Sequence, residues 1–425
     1  MRTAVGFAGS YARRNSGWSL LSSGAVAAAA FVQAAACGRV LGPLELGRFS
    51  LMWSLAAILA ISLSFSLRLV LQTRRSSSSE AQQFWLIRLS TAPLLVIGVV
   101  AFSYLLPGSL TLGAALLALG RVADSVRDFA MGLALAKHRY SAAHAPLVVV
   151  SLGQTIAFVS ALIISKSLVG ALVASLAATV ILVFASLLLV TTSGDHAVLR
   201  SPRSTIAETL RWVRVLWPLS GTALVGTLSS YIPRFILSRA VTIQAVGEYT
   251  AAASVAGLPT IVLSSLAQAP LSVNVKKEGV KRLNRVLVNT AFLATGVASG
   301  FFVMCALFGE RIIVLAFGPD FAVSSALLWL LAASVVVGAP SWALDSGLIQ
   351  LGAYRAQLWV NGLALLAMSL LTYFFVSKLG TVGVGYSAVA VGFGLTLAKW
   401  AVYKRRLGAS RRQLLAQDSL PQRAQ

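Results

Sequence analysis

Acidic residues are scarce in this chain of 425 residues, which has 12 aspartate and glutamate residues against 35 lysine and arginine residues. Charged residues of both signs make up 11% of the sequence, whereas about 25% is usual for a soluble protein. A chain with so little charge cannot cover a globular surface of this size with polar groups. The composition therefore argues against an ordinary soluble enzyme or binding domain.

The residue types that build metal and redox sites are also few. The two cysteines, Cys37 and Cys305, fall near predicted outer helix ends, where two buried small side chains are favoured over a disulfide. The three histidines fall in predicted inner loops, so none of them is placed as a proton relay inside a membrane. No spacing of cysteine, histidine or carboxylate residues resembles a metal site. The sequence predicts no metal and no cofactor.

A phosphate-binding loop of the GxxxxGK type is absent as well, because no lysine directly follows a glycine in the chain. We therefore do not expect this chain to hydrolyse ATP. Energy for any transport would come from an ion gradient, the membrane potential or consumption of the product outside.

Long apolar stretches dominate what is present. The chain is 57% hydrophobic and has a mean hydropathy of +0.83. A helix needs about 20 apolar residues to cross the hydrocarbon of a bilayer, where only helices or closed barrels satisfy their backbone groups. We predict an all-α polytopic membrane protein with twelve transmembrane spans, at residues 17–38, 47–71, 84–106, 110–136, 145–165, 167–191, 215–239, 246–273, 286–308, 323–351, 356–377 and 381–403.

Basic residues gather in every second loop. With the N-terminus inside, the inner segments hold 24 of the 35 basic residues and the outer loops hold 6. This bias predicts a cytoplasmic (inner) membrane protein with both termini in the cytoplasm. The net charge of +23 is then mostly a topology signal, and no nucleic-acid partner is predicted because no folded soluble domain presents a basic face.

Weak internal similarity divides the chain into halves of six spans. Gly-x-aromatic elements at 47–49 and 247–249 lie 200 residues apart, and Ser-Lys pairs precede spans six and twelve. These matches predict parallel repeats, as in many transporters. The predicted domains are an N-terminal six-helix bundle (1–191), a cytoplasmic linker with an interfacial helix (192–214), a C-terminal six-helix bundle (215–403) and a basic cytoplasmic tail (404–425).

The linker contains Thr205 and Glu208 at the spacing of a capping box, followed by apolar residues. This pattern predicts that the interfacial helix begins there and leads into span seven. Trp212 and Trp217 are expected at headgroup depth.

Four short elements carry a family resemblance. Residues 41–50 read LGPLELGRFS, residues 246–252 read VGEYTAA, residues 310–321 read ERIIVLAFGPDF, and residues 379–386 read LGTVGVGY. In this order within twelve spans they resemble the polysaccharide biosynthesis, or O-antigen-type, flippases. That family belongs to the multidrug/oligosaccharidyl-lipid/polysaccharide exporter superfamily. The resemblance covers most of the chain.

The resemblance implies a fold and a function. It implies two six-helix bundles in a V around a central cavity, and transport of a polyprenyl-diphosphate-linked glycan from the inner to the outer leaflet by alternating access. The expected partners are that glycan, the lipid bilayer and a polysaccharide polymerase or other assembly protein. No enzymatic activity is expected.

Span four carries Arg121, Asp124, Arg127 and Asp128, whose spacings of three, four and seven place them on one helical face. A charge at the bilayer centre costs about 2.5–3.5 kcal/mol, so such residues usually face protein or water. Two interpretations are open. The four form a self-neutralising structural cluster near the inner surface, or they line a cavity where arginine binds a diphosphate through paired hydrogen bonds.

Four further charged residues fall within spans. Arg234 follows Pro233, which is expected to loosen span seven, and a substrate contact is favoured over snorkelling. Arg68 and Lys399 lie near inner span ends, where snorkelling and cavity lining are both open. Asp345 in span ten is predicted to partner an arginine, to bind a coupling cation or to lie on a wet helix face.

Three functional classes fit the sequence unequally. The flippase hypothesis assigns substrate binding to Arg68, Arg121, Arg127 and Arg234, and charge pairing or coupling to Asp124, Asp128 and Asp345. The alternative is a cation-coupled multidrug antiporter of the same superfamily, which calls for carboxylates in an apolar cavity. An integral-membrane glycosyltransferase or polymerase needs acids or arginines in substantial outer loops, and the outer loops here are short.

Overall fold

The computed structural model describes residues 2–65, 67–68, 71, 78–106, 110–137, 139–190, 206–267, 270, 275–321 and 324–418. Side chains are described for these residues except 2–16, 19, 78–79, 189–190, 206–210, 215–219, 275–278, 280 and 409–418. Every long element of secondary structure in these ranges is an α-helix, which confirms the all-α fold class.

The twelve described helices follow the apolar stretches along the chain. They are α1 (Arg2–Ser62), α2 (Ser78–Ser103), α3 (Thr111–Ala136), α4 (Tyr140–Ser165), α5 (Leu168–Val190), α6 (Ile206–Ala240), α7 (Ile243–Ala256), α8 (Thr260–Leu266), α9 (Val275–Phe317), α10 (Ser325–Gln350), α11 (Tyr354–Leu379) and α12 (Val382–Asp418).

Eight helices in the described ranges are long and apolar enough to cross a membrane, and α7 with α8 makes a ninth if this bent pair is one span. One of the eight, α1, contains the first predicted span and most of the second. Gly42 separates them with φ of +84°, a left-handed conformation that glycine adopts without strain, and Pro43 begins the next helical segment. Predicted span four corresponds to α3, which falls outside the eight because it carries four charged residues.

Two predicted spans differ from the observed helices. Predicted span two runs to 71, but α1 ends at Ser62 and a turn follows in which Phe65 has φ of +46°. Arg68 therefore lies beyond this helix. Predicted span eight is continuous over 246–273, but α7 ends at Ala256 and α8 begins at Thr260. Pro259 lacks the backbone N–H that a continuous helix needs, and Thr260 donates its N–H to the Gly257 carbonyl three residues back.

The chain divides into two compact units. Unit 1 comprises Met1–Ser254 and Ile312–Ala322, and unit 2 comprises Val255–Arg311 and Val323–Gln425. The six-helix bundles over 1–191 and 215–403, the linker and the tail remain predictions, and Thr205 of the linker lies outside the described residues.

In unit 1, an aromatic and aliphatic cluster joins α2, α3 and the chain segment after α1. It is built around Phe84, Ile87 and Phe129, and Trp212 of α6 packs against it. The Trp212 ring meets Phe84 edge-on, with centroids 5.0 Å apart, and its Nε1 donates to Gln83 Oε1 at 2.6 Å. Trp212 thus joins the start of α6 to α2 through contacts within the protein. This is one of the two tryptophans that the sequence places at headgroup depth.

Also in unit 1, α1 and α7 cross at residues that are 200 positions apart in sequence. A Cβ atom on Gly47 would collide with the Ile243 carbonyl oxygen, and a Cβ atom on Gly247 would collide with the Pro43 carbonyl oxygen. Thr250 Oγ1 donates to Ser50 Oγ at 2.8 Å beside them. We call these contacts the glycine crossing. Its backbones approach closely because both glycines lack a side chain.

Candidate functional site

The helix α3 carries a row of charged side chains along one face. Asp124 lies between two arginines, with Arg127 Nη2 at 2.8 Å from Oδ1 and Arg121 Nη1 at 3.5 Å from Oδ2. The i, i+3 spacing of a helix brings these groups together. All three side chains are largely shielded from solvent. Arg121 also places its guanidinium carbon 4.1 Å above the Trp53 ring, a cation–π contact with α1.

The fourth charged residue of α3, Asp128, binds two arginines from other segments. Arg68 Nη1 lies 2.9 Å from Asp128 Oδ1, and Arg88 Nη2 lies 3.2 Å from Oδ2. The Arg88 side chain is only 4% exposed, and its Nε atom has no hydrogen-bond partner. Arg68 is 46% exposed and keeps part of its guanidinium accessible.

Sequence reasoning missed Arg88 as a site residue, because it was grouped with the basic residues of the inner loops. Its position inside the predicted span 84–106, next to the buried Ile87, was the available signal. We call Arg68, Arg88, Arg121, Asp124, Arg127 and Asp128 the α3 charge cluster. Its four guanidinium groups face two carboxylates, which leaves a surplus of positive charge.

A small polar cavity adjoins Arg121 and Asp124. It has a volume of about 40 Å³, and its polar walls include Gln33, Gln154 and Thr179. Thr179 Oγ1 donates to Gln154 Oε1 at 3.1 Å, and Gln33 Nε2 donates to Thr155 Oγ1 at 3.0 Å. A water molecule needs roughly 10–15 Å³ of such space, so the cavity has room for a few waters and is too small for a sugar.

Arg234 of α6 lies at a separate position in unit 1. Its guanidinium carbon is 4.8 Å from the Tyr231 ring centroid and 5.8 Å from that of Tyr249 on α7. Its Nε atom is buried without a hydrogen-bond partner, and no carboxylate within the described ranges forms an ion pair with it. Arg234 therefore rests on aromatic faces with its charge uncompensated. The helix α6 continues through Pro233 to Ala240.

In unit 2, Asp345 of α10 contacts one side chain from each of two neighbouring helices. Lys399 Nζ of α12 lies 2.7 Å from Asp345 Oδ2, and Gln357 Nε2 of α11 donates to Oδ1 at 2.8 Å. The Lys399 side chain is 3% exposed, so it neither snorkels to headgroups nor lines an open cavity. Asp345 is thus already neutralised by an ammonium group of the same chain.

The remaining candidate ligands do not form a site in the described part of the chain. No group of three or more histidine, cysteine or acidic residues there is arranged to hold a metal ion. Cys37 and Cys305 are buried free thiols. His144, expected in a loop, lies inside α4 and is buried with its Nδ1 2.9 Å from Ser22 Oγ. His138 lies outside the described residues.

Comparison with known families identifies the chain over more than half of its length. The family described as polysaccharide biosynthesis protein matches residues 12–273. No curated protein is significantly similar to the chain in sequence.

Solved structures share the fold at low sequence identity. An inward-facing multidrug resistance MATE family transporter of the MOP superfamily has a TM-score of 0.68 and 15% identity, over 93% of this chain and 95% of that one. An outward-facing one has a TM-score of 0.67 and 17% identity, over 93% and 95%.

A third similar structure is a MOP superfamily transporter from Pyrococcus furiosus, described as having a binding pocket of reversed polarity that suggests a different function. It has a TM-score of 0.66 and 17% identity, over 93% of this chain and 96% of that one. These three likenesses span almost the whole chain and show that it shares their fold. The eight or nine long apolar helices in the described ranges support a multi-pass membrane protein. The chain belongs to the polysaccharide biosynthesis protein family.

Proposed function

We propose that this protein is a transporter of the MOP superfamily, and specifically a flippase that moves a lipid-diphosphate-linked oligosaccharide from the inner to the outer leaflet of the cytoplasmic membrane. Surface polysaccharide synthesis would use the product, and transport would proceed by alternating access. The observation that carries the proposal is Arg234, a partly buried cation whose Nε atom is shielded from solvent and which has no carboxylate partner in the described ranges.

The environment of Arg234 suits an anionic ligand. A cation inside the bilayer is costly unless it faces water or a partner charge, and the two tyrosine rings compensate it only in part. A diphosphate group offers oxygens in the planar geometry that the guanidinium fork binds through two hydrogen bonds. Binding of the head group would therefore supply the partner that the protein lacks.

The α3 charge cluster supports the same polarity. Arg121, Arg127 and Arg68 are the further proposed contacts of the diphosphate, and Arg68 is the most exposed of the three. Asp124 holds Arg121 and Arg127 in place, and Asp128 holds Arg68, so the two carboxylates would orient the arginines or take part in coupling. The surplus of positive charge would favour an anion over a cation.

The alternative, a cation-coupled multidrug antiporter, requires a carboxylate free to bind the drug or the coupling ion. Each of the three intramembrane aspartates is paired with a cationic side chain: Asp124 with Arg127, Asp128 with Arg68 and Arg88, and Asp345 with Lys399. A drug cation would first have to displace these groups. This pattern favours the flippase.

The first experiment is deletion of the gene, followed by measurement of where the lipid-linked glycan accumulates. We expect carrier-linked oligosaccharide to remain on the cytoplasmic leaflet and surface polysaccharide to be lost. An unchanged glycan together with increased sensitivity to cationic drugs would contradict the flippase and support the antiporter. Full activity of both Arg234→Ala and Arg121→Ala at normal expression would contradict the assignment of the site.

A further inference from the structure

An apolar cleft opens in unit 2 between α9, α10 and α12. It has a volume of about 650 Å³, within the range of about 300–1,000 Å³ that is typical of ligand pockets. Its walls include Val288 and Phe292 of α9, Leu344 of α10, and Leu397 and Trp400 of α12. Phe292 is 82% exposed and Trp400 is 49% exposed, so the cleft is open at the side of the helices. We call it the unit 2 cleft.

Among the described residues, α9 packs on α10 at two separated places, and the cleft lies between them. Leu287 packs into a cluster with Ala343 and Leu344, and two turns later Ala294 packs against Ala339. Ala291 lies between these contacts and is too small to fill the gap. In unit 1, by contrast, α2 packs directly on α3. Protein interiors do not maintain empty apolar spaces of this size, so an apolar chain from the surroundings is needed to fill it.

One end of the cleft is strongly basic. Lys404, which lines the cleft, lies with its Nζ 3.9 Å from the centre of the Trp400 ring. Basic residues flank this end on both helices, and all are exposed: Lys281, Arg282 and Arg285 on α9, and Lys404, Arg405 and Arg406 on α12. Glu278 is the one acidic residue in 275–292, and none occurs in 396–408, so basic residues outnumber acidic ones at this end. We call these six residues the basic rim.

Polar groups lie between the apolar wall and the basic rim. Tyr403 Oη donates to Asn284 Oδ1 at 3.4 Å, and both residues line the cleft. The unit 2 cleft thus changes from apolar to polar to cationic along its length. A lipid with an acyl chain, an ester linkage and an anionic phosphate has the same order of chemistry.

We propose that the unit 2 cleft is a binding site for an anionic phospholipid of the cytoplasmic leaflet. One acyl chain lies along Phe292, Leu344 and Leu397, and the phosphate lies at the basic rim beside Lys404. This lipid is a bound constituent of the transporter and is distinct from the transported substrate. The inference does not depend on the flippase proposal, because it rests on residues that carry no proposed role in transport.

The test is native mass spectrometry of the purified full-length protein, titrated with dioleoyl phosphatidylglycerol or with dioleoyl phosphatidylcholine. We expect the anionic lipid to bind about tenfold more tightly, because its phosphate charge is not neutralised by a choline group and can pair with the basic rim. The double variant Lys404→Gln, Arg405→Gln should remove most of this preference. The matched control, Lys378→Gln, removes an exposed basic residue at the opposite helix end and should keep it.

A second variant tests the apolar part of the site. Ala291→Phe fills the cleft and should reduce binding of both lipids at this site, while Leu366→Phe, at an exposed position of α11, should not. If Ala291→Phe fails to fold, Val288→Trp at the mouth of the cleft gives the same test. Equal affinity for the two lipids, or unchanged binding after the cleft is filled, would overturn the proposal. Tighter binding of a polyprenyl phosphate than of phosphatidylglycerol would overturn it in favour of the carrier tail.

Discussion

At the scale of single residues, the intramembrane arginines differ in what compensates their charge. Arg127 is held by Asp124, and Arg88 by Asp128, whereas Arg234 contacts two tyrosine rings and has no carboxylate partner among the described residues. A guanidinium that is paired with a carboxylate of the same chain stabilises the fold, so its substitution affects stability as well as ligand binding. Arg234 is therefore the residue whose substitution separates binding from folding most cleanly.

We expect Arg234→Ala to lower transport by about 10–100-fold at normal expression, because a hydrogen bond to a charged group contributes roughly 1.5–3 kcal/mol. Arg234→Lys should retain part of the activity, since it keeps the charge but loses the planar fork. The measurement is surface polysaccharide formed in a deletion strain that carries each variant. Arg311→Gln, an exposed arginine of α9, is the control.

Asp128→Asn should affect stability more than Arg234→Ala does. It leaves the buried Arg88 and the exposed Arg68 without a carboxylate, and we expect a loss of about 1.5–3 kcal/mol. Thermal unfolding in detergent measures this. The double variant Arg88→Gln, Asp128→Asn should be more stable than the sum of the single losses predicts, because the two residues interact directly. Strict additivity would show that the pair contributes little.

At this scale the sequence predicts ion pairs within one helix, but it does not predict ion pairs between helices. The spacing within α3 indicates that Asp124 can reach Arg121 and Arg127, because all three lie on one helix. Nothing in the sequence near Arg88 or Lys399 indicates that an aspartate of another helix lies within 3.2 Å or 2.7 Å. Basic residues near span ends look alike in sequence whether they reach headgroups or a buried carboxylate.

At the scale of helices, long apolar stretches predicted the observed elements well, and most ends of predicted spans agree within a few residues. Breaks inside apolar stretches were harder to predict. The turn at Phe65 and the interruption between Ala256 and Thr260 both occur where hydrophobicity continues. Hydrophobicity indicates that a segment lies in lipid. It does not indicate where a helix is interrupted, because an interruption is set by backbone hydrogen bonds and by residues such as Pro259.

The glycine crossing is a close contact between α1 and α7, and it gives the next prediction. Gly247→Val and Gly47→Val each place side-chain atoms against a backbone carbonyl that cannot move aside. We expect each to lose about 1–3 kcal/mol, the usual cost of overpacking. Thermal unfolding in detergent is the measurement. Gly226→Ala in α6 is the control, because its added Cβ meets no atom within 4 Å.

At the scale of the whole molecule, the distribution of basic residues predicts orientation, which the helix packing does not. We expect a cysteine at Lys378 to react with a membrane-impermeant maleimide in intact cells. A cysteine at Lys281 should react only after permeabilisation. Both are exposed helix positions, and Cys37 and Cys305 are replaced by alanine beforehand to remove background. The reverse labelling pattern would place the termini outside.

The glycine crossing also has a consequence for how such a chain arose. Pro43 meets Gly247, Gly47 meets Ile243, and Ser50 meets Thr250. When 200 is added to one partner and subtracted from the other, the first two contacts exchange and the third maps onto itself. This reciprocity is the signature of an isologous interface between two identical subunits. The crossing has the form expected of the contact surface of an ancestral homodimer, preserved after its two copies were joined in one gene.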